Sequence, residues 1–291
     1  MNTEKQTDAP AVSLTHVDVA FETRGSRNVH LALDDVSLEA CRGELLVVVG
    51  RSGCGKTTVL NVVAGLAAVT KGEVCVLGMT PKAARSHMSY MFARDALLPW
   101  RTATRNIEFA LELRCPELGR HERRERAGAL LEELGVRGDA QNRYPWQLSQ
   151  GMRQRVALAR TWTINPDVLL MDEPFAALDA QTREDAQALF LQTWSRSRKT
   201  VIFVTHDLSE AILLGERVIV MDRGRIVDEV RIEIPQPRDP SAIVEDPIFR
   251  DIHHRLSAAL RGTSHNLARR STSEPGGGTR VESFDDGERD P

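Results

Sequence analysis

The amino-acid sequence predicts an α/β fold with a mixed sheet at its core. Three segments are almost continuously apolar, as in strands buried on both faces of a parallel sheet: ELLVVVG at 44–50, DVLLMD at 167–172 and TVIFVTHD at 200–207. A helical pattern at about 181–194 lies between the second and third segments, which is the order of a βαβ unit. With 291 residues, 41% of them apolar, the chain is long enough to bury a substantial core.

The N-terminal part of the chain is predicted to form an antiparallel β subdomain. Residues 1–11 are polar and are predicted to be a disordered lead. From Val12 onward, stretches with strand alternation are separated by TRGSRN at 23–28, which indicates a hairpin that leads into the first buried strand. A helix is expected over roughly 56–66, and GEVCVLG at 72–78 is typical of a strand.

The middle of the chain, at about 93–163, has a helical pattern and is predicted to be an inserted α-helical subdomain. Further on, ERVIVMDRGRIVDEV at 216–230 indicates an edge hairpin that turns at 222–224. Residues 233–262 are predicted to be a C-terminal extension with a short helix that Asp246 caps and Gly262 ends. Residues 263–291 have too little apolar content to fold and are predicted to be a disordered tail.

Composition excludes several classes of protein. The 38 basic and 41 acidic residues nearly cancel, so no overall field attracts the molecule to nucleic acid. The four cysteines have no metal-binding spacing, which favours free thiols in a reducing compartment. No apolar run approaches the roughly 20 residues that span a bilayer, and MNTEKQTDAP at 1–10 lacks the apolar stretch of a secretory signal. We therefore expect a cytoplasmic protein.

A phosphate-binding loop is predicted at 50–58, where GRSGCGKTT follows a buried strand and opens a helix. Its glycines allow the backbone to wrap around phosphate, Lys56 reaches the β- and γ-phosphates, and the Thr57 hydroxyl is placed for Mg²⁺. The predicted nucleotide-binding residues of the loop are Gly50, Arg51, Ser52, Gly53, Cys54, Gly55, Lys56, Thr57 and Thr58.

Two further motifs end buried strands and supply catalytic groups. In VLLMDEP at 168–174, Asp172 can hold the Mg²⁺ shell, while Glu173 can orient or deprotonate a water for in-line attack on the γ-phosphate. His206 ends the next strand and is expected at the same edge of the sheet, within reach of the γ-phosphate. The alternative is a histidine that only forms hydrogen bonds at a strand terminus.

A second anion site is predicted at LSQGM, 148–152, which opens an amphipathic helix. Ser149 and Gly151 stand at the helix N-terminus, where free N–H groups and the helix dipole favour an anion. The phosphate-binding loop already provides a site for the phosphates of a nucleotide. A second anion site in the same pocket therefore has no evident role.

In these motifs, their order and their spacing, the chain resembles the nucleotide-binding subunits of ATP-binding cassette (ABC) transporters over about residues 12–232. The resemblance implies a P-loop NTPase fold with a RecA-like core, ATP hydrolysis with Mg²⁺, and a homodimer assembled head to tail. It makes LSQGM the signature that completes the partner's site, with Asp179 in AALD as the D-loop and Phe21 as the aromatic that stacks on adenine. The signature residues are Leu148, Ser149, Gln150, Gly151 and Met152.

The segment LLPWRT at 97–102 resembles that of the nitrate, sulfonate and taurine importers. This resemblance implies a subunit at the cytoplasmic face of the inner membrane, which associates peripherally with integral permease subunits and indirectly with a periplasmic or lipid-anchored substrate-binding protein. Leu97, Leu98 and Trp100 then form an apolar lip for a helix of the permease; the alternative is that they pack under the helical subdomain. The runner-up functions are a thiamine-precursor importer, a soluble ABC ATPase acting on DNA or the ribosome, and a regulator that binds ATP without turnover.

Two positions depart from the family pattern. Gln150 stands between Ser149 and Gly151, where a second glycine is usual, and Met152 replaces a glutamine. Ala93 aligns with the Q-loop glutamine, a metal and water ligand, so that water, Arg94 or Asp95 is left to supply that role. Cys54 lies near a helix N-terminus that can lower its pKa, which leaves two alternatives, a redox switch or mere tolerance of a small residue.

Overall fold

The computed structural model describes residues 9–22, 29–94, 96–236, 238–240 and 242–271. It contains two sheets with helices packed around them. The strands are β1 Val12–Glu22, β2 Val29–Ala40, β3 Leu45–Gly50, β4 Lys71–Val76, β5 Met88–Met91, β6 Val168–Asp172, β7 Thr200–Thr205, β8 Arg217–Asp222 and β9 Arg225–Arg231. The α-helices are α1 Lys56–Val63, α2 Ala103–Arg114, α3 Arg120–Glu133, α4 Gln150–Trp162, α5 Ala180–Ser197, α6 Leu208–Leu214 and α7 Pro247–Ser271.

The larger sheet has six strands in the order β5-β6-β7-β3-β8-β9. Neighbouring strands are parallel from β5 to β8, and β9 pairs antiparallel with β8 at the edge. The predicted mixed sheet and the hairpin at 222–224 are thereby confirmed. In this order β7 lies between β3 and β6, so the residues that follow these three strands meet at one edge of the sheet.

Alternating side chains of β3 enter two different cores. Leu45, Val47 and Val49 pack with residues of the helical subdomain and of α5 to α7. Leu46 and Val48 face the other way, toward α1 and the antiparallel sheet. Because both faces are covered, all six residues of β3 are buried, which explains why the strand is continuously apolar in sequence.

The smaller sheet is the predicted N-terminal subdomain, with the order β2-β1-β4 and antiparallel pairing. The predicted lead ends earlier than residue 11, because Ala11 is fully buried and its N–H donates to the carbonyl of Ala40 at 2.8 Å. Residues 1–8 of the lead and the TRGSRN turn lie outside the described residues.

Helices α2, α3 and α4 lie within the predicted 93–163 subdomain. Thr102 caps α2 by accepting from the Arg105 N–H, and α3 buries Ala127 and Leu131 against the larger core. The sequence did not predict β5 or α6, which are only four and seven residues long. Such short segments carry little periodicity.

The C-terminal helix is longer than predicted. It begins at Pro247, as expected, but continues through Gly262 to Ser271, so the predictions of a helix end at Gly262 and of a disordered tail from residue 263 are wrong for residues 263–271. A single glycine in a helix costs only about 1 kcal/mol relative to alanine, which does not by itself end the helix. Residues 272–291 lie outside the described part of the chain. Among the described residues, no helix is both long and apolar enough to cross a membrane.

Candidate active site

The phosphate-binding loop connects β3 to α1 at the edge where the parallel strands end. Gly53 and Gly55 have φ of 81° and 107°, in the left-handed region that favours glycine. A Cβ on Gly55 would lie 2.6 Å from the carbonyl oxygen of Ala32, so the loop fits closely against β2. The sequence motif and its predicted strand–loop–helix setting are both present.

Lys56 is the buried cation of this loop, with its side chain 5% exposed. Its Nζ donates to the carbonyl oxygens of Gly50 at 2.8 Å and Arg51 at 3.1 Å. The same atom lies 3.8 Å from Oε1 of Glu173. The ammonium group therefore stands between the phosphate-binding loop and the candidate catalytic carboxylate.

The two predicted metal ligands are in direct contact. Thr57 Oγ1 donates to the Asp172 carboxylate and lies 3.1 Å from each of its oxygens. Burial raises the pKa of Asp172 above its usual range, opposed by the Thr57 hydrogen bond, while the neighbouring Glu173 raises it further and Lys56 lowers it. A hydroxyl and a carboxylate side by side are the hard oxygen donors that Mg²⁺ prefers, so these residues fit the ion.

Glu173 and His206 come from the ends of adjacent strands β6 and β7. Glu173 has a φ of 45°, unusual for a residue with a Cβ, and its N–H donates to the Val204 carbonyl at 2.9 Å. This backbone turns the carboxylate toward His206, whose Nδ1 lies 3.0 Å from Glu173 Oε2. The predicted placement of His206 at this edge is thus observed.

A cavity of about 300 Å³ lies over the loop. Lys56, Thr57 and Glu173 form part of its wall, and Phe21 of β1 forms another part. The Phe21 ring is 48% exposed, so it is not a core residue. His30, which pairs with Phe21 across the β1–β2 ladder, also lines the cavity and was missed from the sequence because it belongs to no motif. The described lining is Phe21, His30, Ala32, Ser52, Gly53, Gly55, Lys56, Thr57, Thr58 and Glu173.

The signature is not part of that described lining. Ser149 caps α4 by accepting from the Met152 N–H at 3.2 Å, and Gln150 beside it is exposed. Gly151 is buried against α5, where an added Cβ would lie 2.4 Å from Cγ2 of Thr182. The chain therefore presents the signature on a separate surface from its own phosphate-binding loop.

The D-loop residue Asp179 starts the helix that the signature packs against. Its carboxylate caps α5 by accepting from the Thr182 N–H at 3.0 Å. This hydrogen bond lowers the pKa of Asp179 below its usual range. Asp179, like Ser149, is exposed at a helix N-terminus, and both adjoin the Gly151–Thr182 contact.

Two buried amides support these loops and were not found from the sequence. Gln154 of α4 donates its side-chain N–H to the carbonyl of Pro174, the residue after Glu173. Gln187 of α5 donates to the buried Glu210 of α6 at 2.9 Å. Neither glutamine belongs to a recognised sequence motif, so only the structure shows what each one contacts.

The Cys54 thiol is buried in the phosphate-binding loop, and burial raises its pKa. Lys56 lowers the pKa of this thiol by a smaller effect. Backbone hydrogen bonds from Lys56, at the helix N-terminus, and from Cys54 also lower this pKa, but burial outweighs them and the net shift is upward.

Part of the segment 97–102, which follows β5, is buried in the core, and part is exposed at the surface. Leu97 is buried in the larger core, whereas Trp100 is 71% exposed. The fully buried Asn106 fixes the backbone between them: it accepts from the Leu98 N–H at 2.8 Å and donates to three carbonyls of the segment. Leu97 therefore packs in the core, as the second alternative has it, while Trp100 is left exposed.

Ala93 and Arg94, which follow β5, are both exposed. The alanine side chain offers no group for a metal or water. Asp95, a candidate substitute for the missing glutamine, lies outside the described residues.

The fold and this site define a P-loop ATPase with a RecA-like core: a phosphate-binding loop, a threonine–aspartate pair for a metal, and a carboxylate beside a histidine. The family model described as ABC transporter matches residues 33–176. The nitrate import ATP-binding protein NrtD of Synechococcus elongatus is 41% identical over 230 residues, which cover 78% of this chain and 83% of the relative. The taurine import ATP-binding protein TauB of Rhizobium johnstonii is 37% identical over 258 residues, 87% of this chain and 97% of the relative.

A solved dimeric ATP-binding cassette in a post-hydrolysis state with ADP and Pi matches with a TM-score of 0.70 and 32% identity, over 77% of this chain and 100% of that one. The chain belongs to the ABC transporter family as an ATP-binding, ATP-hydrolysing subunit. The resemblance seen in the motifs is therefore confirmed.

Proposed function

We propose that this protein hydrolyses MgATP as a homodimer and thereby drives uptake of a small oxyanion, such as an aliphatic sulfonate, taurine or nitrate, across the inner membrane. The observation that carries the proposal is the position of Glu173, which lines the cavity over the phosphate-binding loop at 3.8 Å from Lys56 and also lies 3.0 Å from His206. A carboxylate so placed can hold the attacking water next to the phosphate that Lys56 neutralises.

Each residue has a separate part in the reaction. Lys56 and the loop amides bind the β- and γ-phosphates, Glu173 accepts the proton of the attacking water, and His206 orients Glu173 and stabilises charge on the γ-phosphate. Thr57 and Asp172 would hold Mg²⁺, which neutralises charge developing on the phosphate oxygens. Phe21 provides a ring on which adenine stacks.

The homodimer is supported by the place of the signature. Ser149 and Gly151 offer an anion-binding helix N-terminus, yet neither residue is part of the described lining of the chain's own nucleotide cavity. A second copy placed head to tail would bring this N-terminus to the γ-phosphate of the first. The solved cassette of similar structure is also dimeric.

The partner in the membrane is a permease, in keeping with the import ATP-binding proteins among the relatives. Trp100 is exposed on a segment that Asn106 holds rigid, and Leu66 and Phe92 are exposed near a groove of about 330 Å³. Apolar side chains at such a surface suit a short helix of the permease. The subunit is then peripheral, at the cytoplasmic face, and a substrate-binding protein delivers the cargo.

The names of the relatives support the proposed class of cargo. Besides nitrate and taurine, they include a bicarbonate transport ATP-binding protein of Synechococcus elongatus at 37% identity over 248 residues. All three names denote small solutes that carry an anionic oxygen group. A thiamine-precursor importer and a soluble ABC ATPase are the alternatives, and co-purification of a permease with a sulfonate or nitrate binding protein would decide among them.

The catalytic assignment is tested with Glu173→Gln, which keeps the shape of the side chain but removes the base. We expect MgATP to convert this variant to a dimer, measured by light scattering, while phosphate release falls to background. Glu184→Gln, an exposed carboxylate on α5, is the matched control and should hydrolyse ATP at the normal rate. A Glu173→Gln protein that stays monomeric with MgATP would overturn the proposal.

A further inference from the structure

The side chain of His206 is little constrained by packing. The imidazole is 54% exposed, and among the described residues Glu173 is its only hydrogen-bonding partner. The neighbours of His206 in the chain are Thr205, the last residue of β7, and Asp207, the N-cap of α6. The backbone that joins these two residues therefore decides where the imidazole lies.

Side chains on both sides of His206 hold the turn that contains it. The Thr205 hydroxyl is buried and accepts from the Asp207 N–H at 3.0 Å, which closes a tight turn with His206 at its centre. The Asp207 carboxylate in turn accepts from the N–H groups of Ser209 and Glu210 at 2.8 and 3.2 Å. The turn and the start of α6 are thus fixed relative to each other.

A buried carboxylate, that of Glu210, connects this turn to α5. The side chain is 5% exposed and accepts a hydrogen bond from the Gln187 amide at 2.9 Å. Burial raises the pKa of Glu210 above its usual range, while hydrogen bonds from Thr205 and Gln187 oppose that shift. Through Glu210, the residue before His206 is bonded to the helix that Asp179 caps.

The stability of the fold gives little reason for an acid at position 210. Within the described part of the chain, no basic side chain forms an ion pair with Glu210. An acid that is buried without such a partner costs stability, which an apolar residue of similar size would not. Buried acidic groups of this kind are typical of functional sites, and the contacts of Glu210 lead to His206.

We propose that Glu210 is a positioning residue for His206. Its hydrogen bonds with Thr205 and Gln187 fix the turn that presents the imidazole to Glu173. Glu210 is not part of the described lining of the nucleotide cavity, so it acts on the reaction through His206 and not by touching ATP. This inference rests on the proposed role of His206 and adds the group that holds it in place.

The first test removes a hydroxyl without leaving a cavity. Thr205→Val keeps the shape of the side chain but frees the turn from Asp207 and Glu210. We expect phosphate release to show a kcat about tenfold lower, with little change in the KM for ATP, because a small displacement of a catalytic group is costly. Thr200→Val is the matched control and should keep the parental kcat. Thr200 is buried at the other end of β7, where its hydroxyl accepts from the Gly43 N–H at 3.0 Å.

Two substitutions of Glu210 separate its hydrogen bonds from its charge. Glu210→Leu removes both hydrogen bonds and should lower kcat as Thr205→Val does. Glu210→Gln keeps a hydrogen-bonding group toward each partner and should restore kcat to within about twofold of the parent. Urea denaturation checks that each variant is folded. Should Glu210→Leu fail to fold, the isosteric Thr205→Val still gives the answer.

A double substitution shows whether the loss passes through His206. We expect Thr205→Val to cause no further loss of kcat in a His206→Ala protein, because the group that it positions is already absent. An equal further loss there would make the effect purely structural and overturn the inference, as would a Thr205→Val enzyme of parental kcat. A His206→Ala enzyme of parental kcat would instead overturn the proposed role of His206, and this inference with it.

Discussion

Gln154 donates its side-chain amide N–H to the carbonyl of Pro174, so the signature helix is bonded to the residue that follows Glu173, the proposed catalytic carboxylate. Both residues are buried. At the start of the same helix, Gly151 packs against Thr182 of α5. Within one chain, the signature helix, which we propose faces the partner's nucleotide, is therefore joined to the loop that positions Glu173.

Gln154→Leu tests this connection, because leucine has a similar volume but cannot donate. The Pro174 carbonyl would be left buried without its partner, at a cost of about 1–3 kcal/mol. We expect a lower free energy of unfolding by that amount, measured by urea denaturation, and a kcat lowered several-fold with little change in the KM for ATP. Gln192→Leu, on an exposed position of α5, should change neither. A Gln154→Leu enzyme of normal kcat would show that the bond only stabilises the fold.

The sequence predicts the central sheet well because strands buried on both faces are almost continuously apolar. All residues of β3, β6 and β7 are buried, and these are the strands read as continuous apolar runs. The sequence misplaces the end of α7 because Gly262 predicts a stop there, whereas the cost of one glycine is small enough for the helix to continue through it. Residues that often end helices, such as glycine, mark the ends of helices only approximately.

The site was predictable where a residue belongs to a motif whose spacing is set by phosphate chemistry. Lys56, Thr57, Asp172, Glu173 and His206 all lie together as expected. Residues that act through tertiary contacts, such as Gln154, carry no such spacing. Phe21 was predicted only from the resemblance to the family, and its neighbour His30 was not predicted. Both residues form part of the cavity wall through strands whose register depends on the pairing of β1 with β2.

His206 should act on turnover more than on binding. Its Nδ1 lies 3.0 Å from Glu173 Oε2, so removing the imidazole leaves the carboxylate free to rotate away from the water. We expect His206→Ala to lower kcat by about 10²- to 10⁴-fold, with the KM for ATP changed little, as measured by phosphate release.

The matched control for His206 is His87→Ala. His87 is also paired with a carboxylate, Asp167 at 2.8 Å, but at the opposite end of β6 from Asp172. Its loss should leave kcat unchanged. Equal activity of the His206→Ala and His87→Ala enzymes would assign His206 to a structural hydrogen bond alone.

The Mg²⁺ requirement should depend on pH through Asp172. Burial raises the pKa of this carboxyl, so as the pH falls, protons compete with the metal at a higher pH than they would at an ordinary aspartate. Below that pKa, each pH unit should raise the Mg²⁺ concentration for half-maximal hydrolysis about tenfold. Titrations of ATPase activity with Mg²⁺ at several pH values measure the effect. Asp167→Asn should show the same pH dependence as the parent enzyme, and a metal requirement that is flat over the acidic range would contradict the assignment of Asp172 as a ligand.

The last prediction concerns Ala93, which stands where the resemblance to ABC cassettes leads us to expect a glutamine that binds metal and water. Ala93 is exposed just beyond β5, the strand that pairs in parallel with β6, which ends at the proposed metal ligand Asp172. We expect Ala93→Gln to lower the Mg²⁺ concentration needed for half-maximal hydrolysis, and Ala93→Leu, of similar size but without the amide, to leave it unchanged. An identical metal titration for Ala93→Gln and the parent would show that this position no longer takes part in metal binding in this chain.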